Sequence, residues 1–237
     1  MKNMNDNNVI FDQRSDGLNA FFSKIYALMG AGVLVSALVS WIMITFFLDN
    51  MTAILQSGSL FFLVLWIIPL VMVVSLQGLA MKNSKMALPI FIGYAAFMGF
   101  LISFTLLMYT ATDITLAFVT AAAMFFGLSV YGRFTKRNLS AMGKAFGVAV
   151  WGLIIAMLLN LFFASSGLTI LISLVGVVIF AGLIAWDNQK ITQVYNANNG
   201  QVSDGWAISM ALSLYLDFIN MFLFLLRLFG IAGGNRD

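Results

Sequence analysis

The sequence predicts an all-α integral membrane protein built as a bundle of seven transmembrane helices, and three observations carry that expectation. Hydrophobic residues make up 62% of the 237 positions and charged residues only 9%, far from the roughly half apolar and quarter charged balance of soluble domains. The apolar residues gather into seven stretches of spanning length. The charged residues fall in the breaks between those stretches and alternate by side. A helix rises about 1.5 Å per residue and a hydrocarbon core is about 30 Å thick, so about 20 apolar residues make one crossing. Six to eight crossings fill the chain, which leaves no room for a separate soluble domain.

Residues 1–25 (MKNMNDNNVIFDQRSDGLN and the residues that follow) form a polar N-terminal tail with room for a surface helix at its end. The tail lacks the basic start, short apolar run and small-residue exit of a cleavable leader. The transmembrane domain occupies 26–229, with apolar stretches at roughly 26 to 48, 59 to 81, 86 to 109, 114 to 132, 145 to 164, 168 to 186 and 207 to 229. A short C-terminal tail, 230–237, closes the chain. Pro69 predicts a kink in the second stretch, because proline removes one backbone donor and crowds the preceding turn. Gly30, Gly32, Gly93, Gly99, Gly127, Gly176 and Gly182, with Gly143 and Gly147 at GxxxG spacing, predict close helix packing. The 15 methionines read as adaptable packing filler rather than a thioether metal site.

Orientation follows from the basic residues. Lys82 and Lys85 follow the second stretch, and Arg133, Lys136, Arg137 and Lys144 follow the fourth, whereas the first and third breaks carry only Asp49 and Asp113. Positive charge marks the cytoplasmic side. The N-terminal tail with Lys2, Arg14 and Lys24 is therefore expected inside, and an odd number of crossings puts the C-terminus outside. Arg227 and Arg236 oppose this mildly, and Arg227 is expected to snorkel to the headgroups.

Composition excludes several functions. Without cysteine or histidine there is no disulfide, no Cys/His metal site, no thiol nucleophile and no serine–histidine machinery. Glutamate is absent as well, so carboxylate chemistry rests on nine aspartates: Asp6, Asp12, Asp16, Asp49, Asp113, Asp187, Asp204, Asp217 and Asp237. The net charge of +3 comes from loop residues beside apolar segments, which sets topology and gives no reason to expect nucleic acid.

Charge inside a spanning helix is costly and normally faces a bundle interior or a water-filled cavity. Asp187 closes the sixth stretch and Asp217 lies about ten residues into the seventh. The connection from Asn196 to Asp204, centred near position 202, holds the turn-forming Asn198-Asn199-Gly200. The two aspartates stand 15 residues before and 15 residues after that centre. An antiparallel pair of regular helices brings such residues to one depth. Two carboxyl groups that meet in a low dielectric do not readily both ionise, so the pair is expected to share a proton and to sense pH. A cation can replace that proton. Calcium takes six to eight oxygen ligands, so Asp187 and Asp217, with Asn220 and water or carbonyls, predict weak binding suited to passage. The alternative is an interfacial helix-end Asp187 and a lone protonated Asp217. Gln77, Asn160 and Asn220 are the further polar residues within the stretches; taken singly, each reads as an interhelical hydrogen-bonding group.

The stretch Gly182-Leu183-Ile184-Ala185-Trp186-Asp187-Asn188-Gln189-Lys190-Ile191 resembles the Tyr-Asp-Thr-Gln segment of the Bax inhibitor family, with Trp186 and Asn188 in place of Tyr and Thr. Residues Ala211 to Arg227 resemble that family's C-terminal signature, and the layout agrees over almost the whole chain. The resemblance implies a bundle with the last helix near its centre and a pH-sensitive calcium leak governed by Asp187 and Asp217. In some members a basic residue of the second helix latches the pair. Here that helix has neither Arg nor Lys before Lys82, and Gln77 is the nearest polar substitute. Bacterial relatives also modulate a membrane-bound AAA protease, which gives the alternative function of a non-conducting regulator or scaffold. No enzymatic activity and no cofactor are expected; calcium or another cation enters as the transported ion, and the bilayer is the constant partner. The expected location is a bacterial plasma membrane.

Rival classes fail on residues. An intramembrane aspartyl protease also carries aspartates on its sixth and seventh helices, but it needs a Gly-x-Gly turn before the second and a later Pro-Ala-Leu. Leu214-Tyr215-Leu216 precedes Asp217, and the only prolines are Pro69 and Pro89. A retinal protein needs a lysine in its last helix, and none lies between 207 and 229.

Overall fold

The computed structural model describes residues 4–56 and 59–234, with side chains placed for 15–56 and 68–234. Eight helices joined by short connections make up this part of the chain: α1 (Met4–Phe46), α2 (Leu48–Gln56), α3 (Ser59–Met81), α4 (Ala87–Leu106), α5 (Ala111–Phe134), α6 (Ser140–Phe163), α7 (Ser166–Ala197) and α8 (Asp204–Gly233). Lys2, Arg236 and Asp237 of the two tails lie outside the described residues.

The helices start and stop where local chemistry dictates. Thr110 and Ser165 cap α5 and α7, their hydroxyls accepting the N–H of Asp113 and Leu168 at 3.1 and 3.3 Å; each satisfies a donor that the first turn leaves open. The expected turn between the last two helices forms at Asn199 and Gly200, which take left-handed φ of 52° and 80°. Asparagine and glycine tolerate that region better than other residues.

Six helices are long and apolar enough to cross a membrane: α4 to α8, and α1 from Ser15 onward. The expectation of seven crossings is not confirmed. Helix α3 is not among the six, since only its Ile68–Met81 portion has described side chains. The helix α2 was not anticipated: at nine residues it is too short to register as a span, and its one buried side chain is Met51. Helix α1 runs unbroken through the polar-to-apolar boundary at 25/26, and Phe21, Phe22 and Ile25 already lie in the core.

Helix α8 packs against α1, α3, α4, α5 and α7, while α6 packs mainly on α7. Within its most apolar 18 residues, 78% of α8 is buried against 6% for α6. The outward face of α6 presents Val148, Trp151, Ile155 and Phe162. Such a surface is unfavourable in water and ordinary in lipid, where the hydrocarbon is as apolar as the side chains. The basic connections gather at one end of the bundle. There Asn83 accepts the Gly205 N–H at 2.9 Å, Asn19 accepts from Arg133, and Gln189 accepts the Leu139 N–H at 2.8 Å. An exposed ion pair, Lys24 to Asp204 at 2.5 Å, ties α1 to the start of α8 at this end and contributes at most about 1 kcal/mol.

Candidate functional site: a buried carboxyl pair

Four consecutive residues of α7 meet four different surroundings, because each step along a helix turns the side chain by about 100°. Ala185 faces α5, where Gly132 lets the two backbones touch; a Cβ on Gly132 would collide with the Ala185 carbonyl. Trp186 lies over Gly143 of α6, and there too a Cβ would collide. Asp187 turns toward α8. Asn188 points to α1 and α5, where it accepts from the Tyr26 hydroxyl at 2.6 Å and donates to Ser129 at 3.1 Å and to its own helix at the Ile184 carbonyl at 2.8 Å.

The orientation of α8 is set with equal definition. Tyr215 shares a 2.7 Å hydrogen bond with Ser36 of α1 and meets Phe91 and Tyr94 of α4 edge-on. Phe218 packs edge-on against Phe118 and Phe125 of α5. Between them Asp217 is held toward α7.

The two carboxyl groups thus lie close enough to interact inside the bundle. Only 5% of Asp187 and 7% of Asp217 is exposed. Asp217 Oδ2 is buried and has no hydrogen-bond partner, and an orphaned acceptor of this kind costs about 1–3 kcal/mol. One positive charge lies near. Lys190, one turn along α7 from Asp187, is within Coulombic range of both carboxyl groups, and its ammonium stands 5.0 Å from the centre of the Trp186 ring. Chemically, a proton or a small cation between two such carboxyl groups would satisfy the orphaned oxygen and relieve the like-charge conflict.

The other polar residues named from the sequence do not join the pair. Gln77 of α3 accepts the Ser209 hydroxyl at 2.9 Å, two helical turns from Asp217 along α8. Asn160 donates to Thr169 at 2.7 Å and accepts the Ser165 N–H at 3.2 Å, which closes the turn between α6 and α7. Asn220 donates to the Leu216 carbonyl of its own helix at 2.8 Å. Among the described residues no group of three or more acidic side chains lies together. Arg227 is half-buried with its guanidinium 5.6 Å from the Phe224 ring centre.

Sequence reasoning missed Lys190, Tyr26 and Ser129. Lys190 had a signal, its spacing of three from Asp187 on one helical face. Tyr26 and Ser129 are 162 and 59 residues from Asn188, and nothing in their own neighbourhoods marks them.

Residues 18–234 match the family described as Inhibitor of apoptosis-promoting Bax1. The chain belongs to this family. Its carboxyl pair lies in the two segments on which the resemblance was based. A protein of Lactococcus lactis subsp. lactis (strain IL1403), YrjE, is 99% identical over 234 residues, covering 99% of this chain and all of that one. A membrane protein of Streptococcus pyogenes serotype M3 is 49% identical over 227 residues, covering 96% of this chain and 99% of the relative. A Borreliella burgdorferi protein is 39% identical over 215 residues, or 90% and 92% of the two chains. These relatives are bacterial, and none of the descriptions indicates an enzymatic activity.

Proposed function

We propose that this Bax inhibitor family protein is a pH-sensitive leak for calcium or a similar cation, gated by Asp187 and Asp217. The observation that carries the reading is the face-to-face burial of two carboxyl groups with one oxygen left without a partner. In the closed state the pair holds one proton between its oxygens. Loss of that proton leaves two like charges that repel and displace α7 from α8, opening a path along the last helix, and a cation enters by taking the proton's place between them. The ion is cargo, held by too few ligands to be stored. Lys190, near both carboxyl groups, limits the cost of the charged state; the latching basic residue that some family members carry in the second helix has no counterpart before Lys82 here.

In this reading α3 makes the seventh crossing through Ser59–Met81, 23 residues of helix. The N-terminus and the basic connections lie on the cytoplasmic side of a bacterial plasma membrane, and the C-terminus lies outside. The protein performs no catalysis. Calcium flux from liposomes containing the purified protein, measured below and above neutral pH, tests the reading, and a faster flux at the higher pH is expected. Absence of flux at both values would refute it and favour a non-conducting regulator of a membrane-bound protease.

A further inference from the structure

The chain bends at Phe47, between α1 and α2, and the register of α1 on α4 shows how far. Ser36 donates to the Ala95 carbonyl at 2.7 Å and Ser40 to the Gly99 carbonyl at 2.6 Å, so the two helices run side by side in the same direction with a constant step. Continued straight, α1 would carry position 51 to the level of position 110. The Met51 sulfur instead accepts from the Ser103 hydroxyl at 3.9 Å, roughly seven positions or about 10 Å back along α4. Helix α2 therefore turns over toward α4, at the level of its last turn. This is the end away from the basic connections, because α1 starts among them, with Asn19 at Arg133.

At about 100° per residue, Phe47, Leu48 and Leu55 lie within about 60° of Met51 around the axis of α2, whereas Asn50, Thr52, Gln56 and Asp49 lie about 100° or more away. The apolar stripe is covered by protein only at its centre. Met51 is fully buried, but Phe47, Leu48 and Leu55 are exposed, as are the four polar side chains. Met51 fixes the apolar side toward the bundle and the polar side away from it. The stripe is also continuous, through Phe46, with the outward surface of α1, where Trp41 and Phe46 are exposed and meet edge-on at 5.9 Å. A tryptophan near the end of a spanning helix marks the membrane boundary.

We propose that α2 is an interfacial helix whose apolar stripe docks into the acyl–headgroup boundary of the leaflet at this end. Met51 pins it to the protein, and Phe47, Leu48 and Leu55 are its lipid contacts. A helix in that plane buries its apolar face and leaves its polar face in water. Helices of this kind commonly add basic residues that attract anionic headgroups. Residues 47–56 contain none, and Asp49 is their one charge. The surface therefore takes lipid by its acyl boundary and not by headgroup charge, so neither anionic lipid nor low salt strengthens the docking. It stands whether or not the carboxyl pair conducts.

The chain has no cysteine, so single substitutions in the full-length protein place a nitroxide label at chosen positions in liposomes. Leu48→Cys and Leu55→Cys report the stripe, and Asn50→Cys, Thr52→Cys and Gln56→Cys the polar side; all five residues are exposed. Leu38→Cys and Asn138→Cys, also at exposed positions, give the lipid and water references. Collision with oxygen, which concentrates among acyl chains, is compared with collision with a water-soluble nickel chelate present on both faces of the membrane. Positions 48 and 55 should favour oxygen over chelate by several-fold relative to 50, 52 and 56. The pattern should be the same in phosphatidylcholine alone and mixed with phosphatidylglycerol, at low and at high salt. Equal chelate access at all five positions would make α2 a lid in water. Protection of 48 and 55 from both reagents would make the stripe a contact with protein, and protection confined to phosphatidylglycerol or to low salt would make it a headgroup-charge site. Each of these three results overturns the proposal.

Discussion

Replacing Asp217 by asparagine removes one of two facing carboxyl groups while keeping size and shape, so it isolates the like-charge conflict at the centre of the bundle. Two unit charges about 4 Å apart repel by about 4 kcal/mol at an effective dielectric near 20. A free energy of that size shifts a closed-to-open equilibrium by roughly two to three orders of magnitude. That repulsion exists only when both groups are ionised, which happens on the alkaline side; the wild-type flux should therefore rise with pH. In Asp217→Asn the repulsion is gone at every pH, and the amide can donate to Asp187, a hydrogen bond to a charged group worth about 1.5–3 kcal/mol. The rise in flux with pH should flatten, and the thermal unfolding midpoint in detergent should match or exceed the wild type. Asp187→Asn should behave alike. The double variant should add little to either single change, since contacting residues in one network are not additive. Liposomes carrying a calcium indicator, each variant read at the same series of pH values, give the four corners of the cycle. Two single variants with the wild-type pH profile, or with independent effects that sum in the double, would refute the coupling.

The remaining expectations concern the frame around the pair. Asn188→Val strips the hub between α1, α5 and α7 of two interhelical hydrogen bonds, at about 0.6 kcal/mol each on average within membranes, so a loss of about 1 kcal/mol should appear in thermal unfolding. Gly143→Val should destabilise by about 1–3 kcal/mol through overpacking against Trp186, and Trp186→Ala in the same chain should restore part of it. Gly147→Val should be near neutral, because open space surrounds that position. For topology, single cysteines at Asn138 and Thr112, both exposed, should react with an impermeant reagent in intact cells only at position 112; the reverse pattern would invert the orientation.

Legibility from the sequence tracked how local each determinant is. Asn198-Asn199-Gly200 announced a turn, and equal spacing of Asp187 and Asp217 about that turn announced their meeting, because two regular antiparallel helices convert sequence distance into depth. Gly143 and Gly147 read as one motif, yet only Gly143 lies beneath a partner side chain. The spacing is local, but the partner is on another helix. Gln77 illustrates the same gap: its place in the second apolar stretch suggested the carboxyl pair, and packing assigned it to Ser209.

Composition, the lengths of the apolar runs and the placement of Lys and Arg by themselves determined a helical membrane protein and its basic end and marked Asp187 and Asp217 as the carboxyl groups within the last two apolar stretches, since each of these is a property of single segments in a medium without water. The tertiary structure alone decided that Asn188 joins Tyr26 and Ser129, that Lys190 attends both carboxyl groups, that α6 faces outward while α8 is enclosed, and that Gln189 holds the connection between α5 and α6. Those outcomes depend on the rotation of each helix about its axis and on which neighbour it meets. Nearly uniform apolar helices leave no periodic stripe from which to read that rotation; the few polar contacts and the glycine–aromatic fits between distant segments select it.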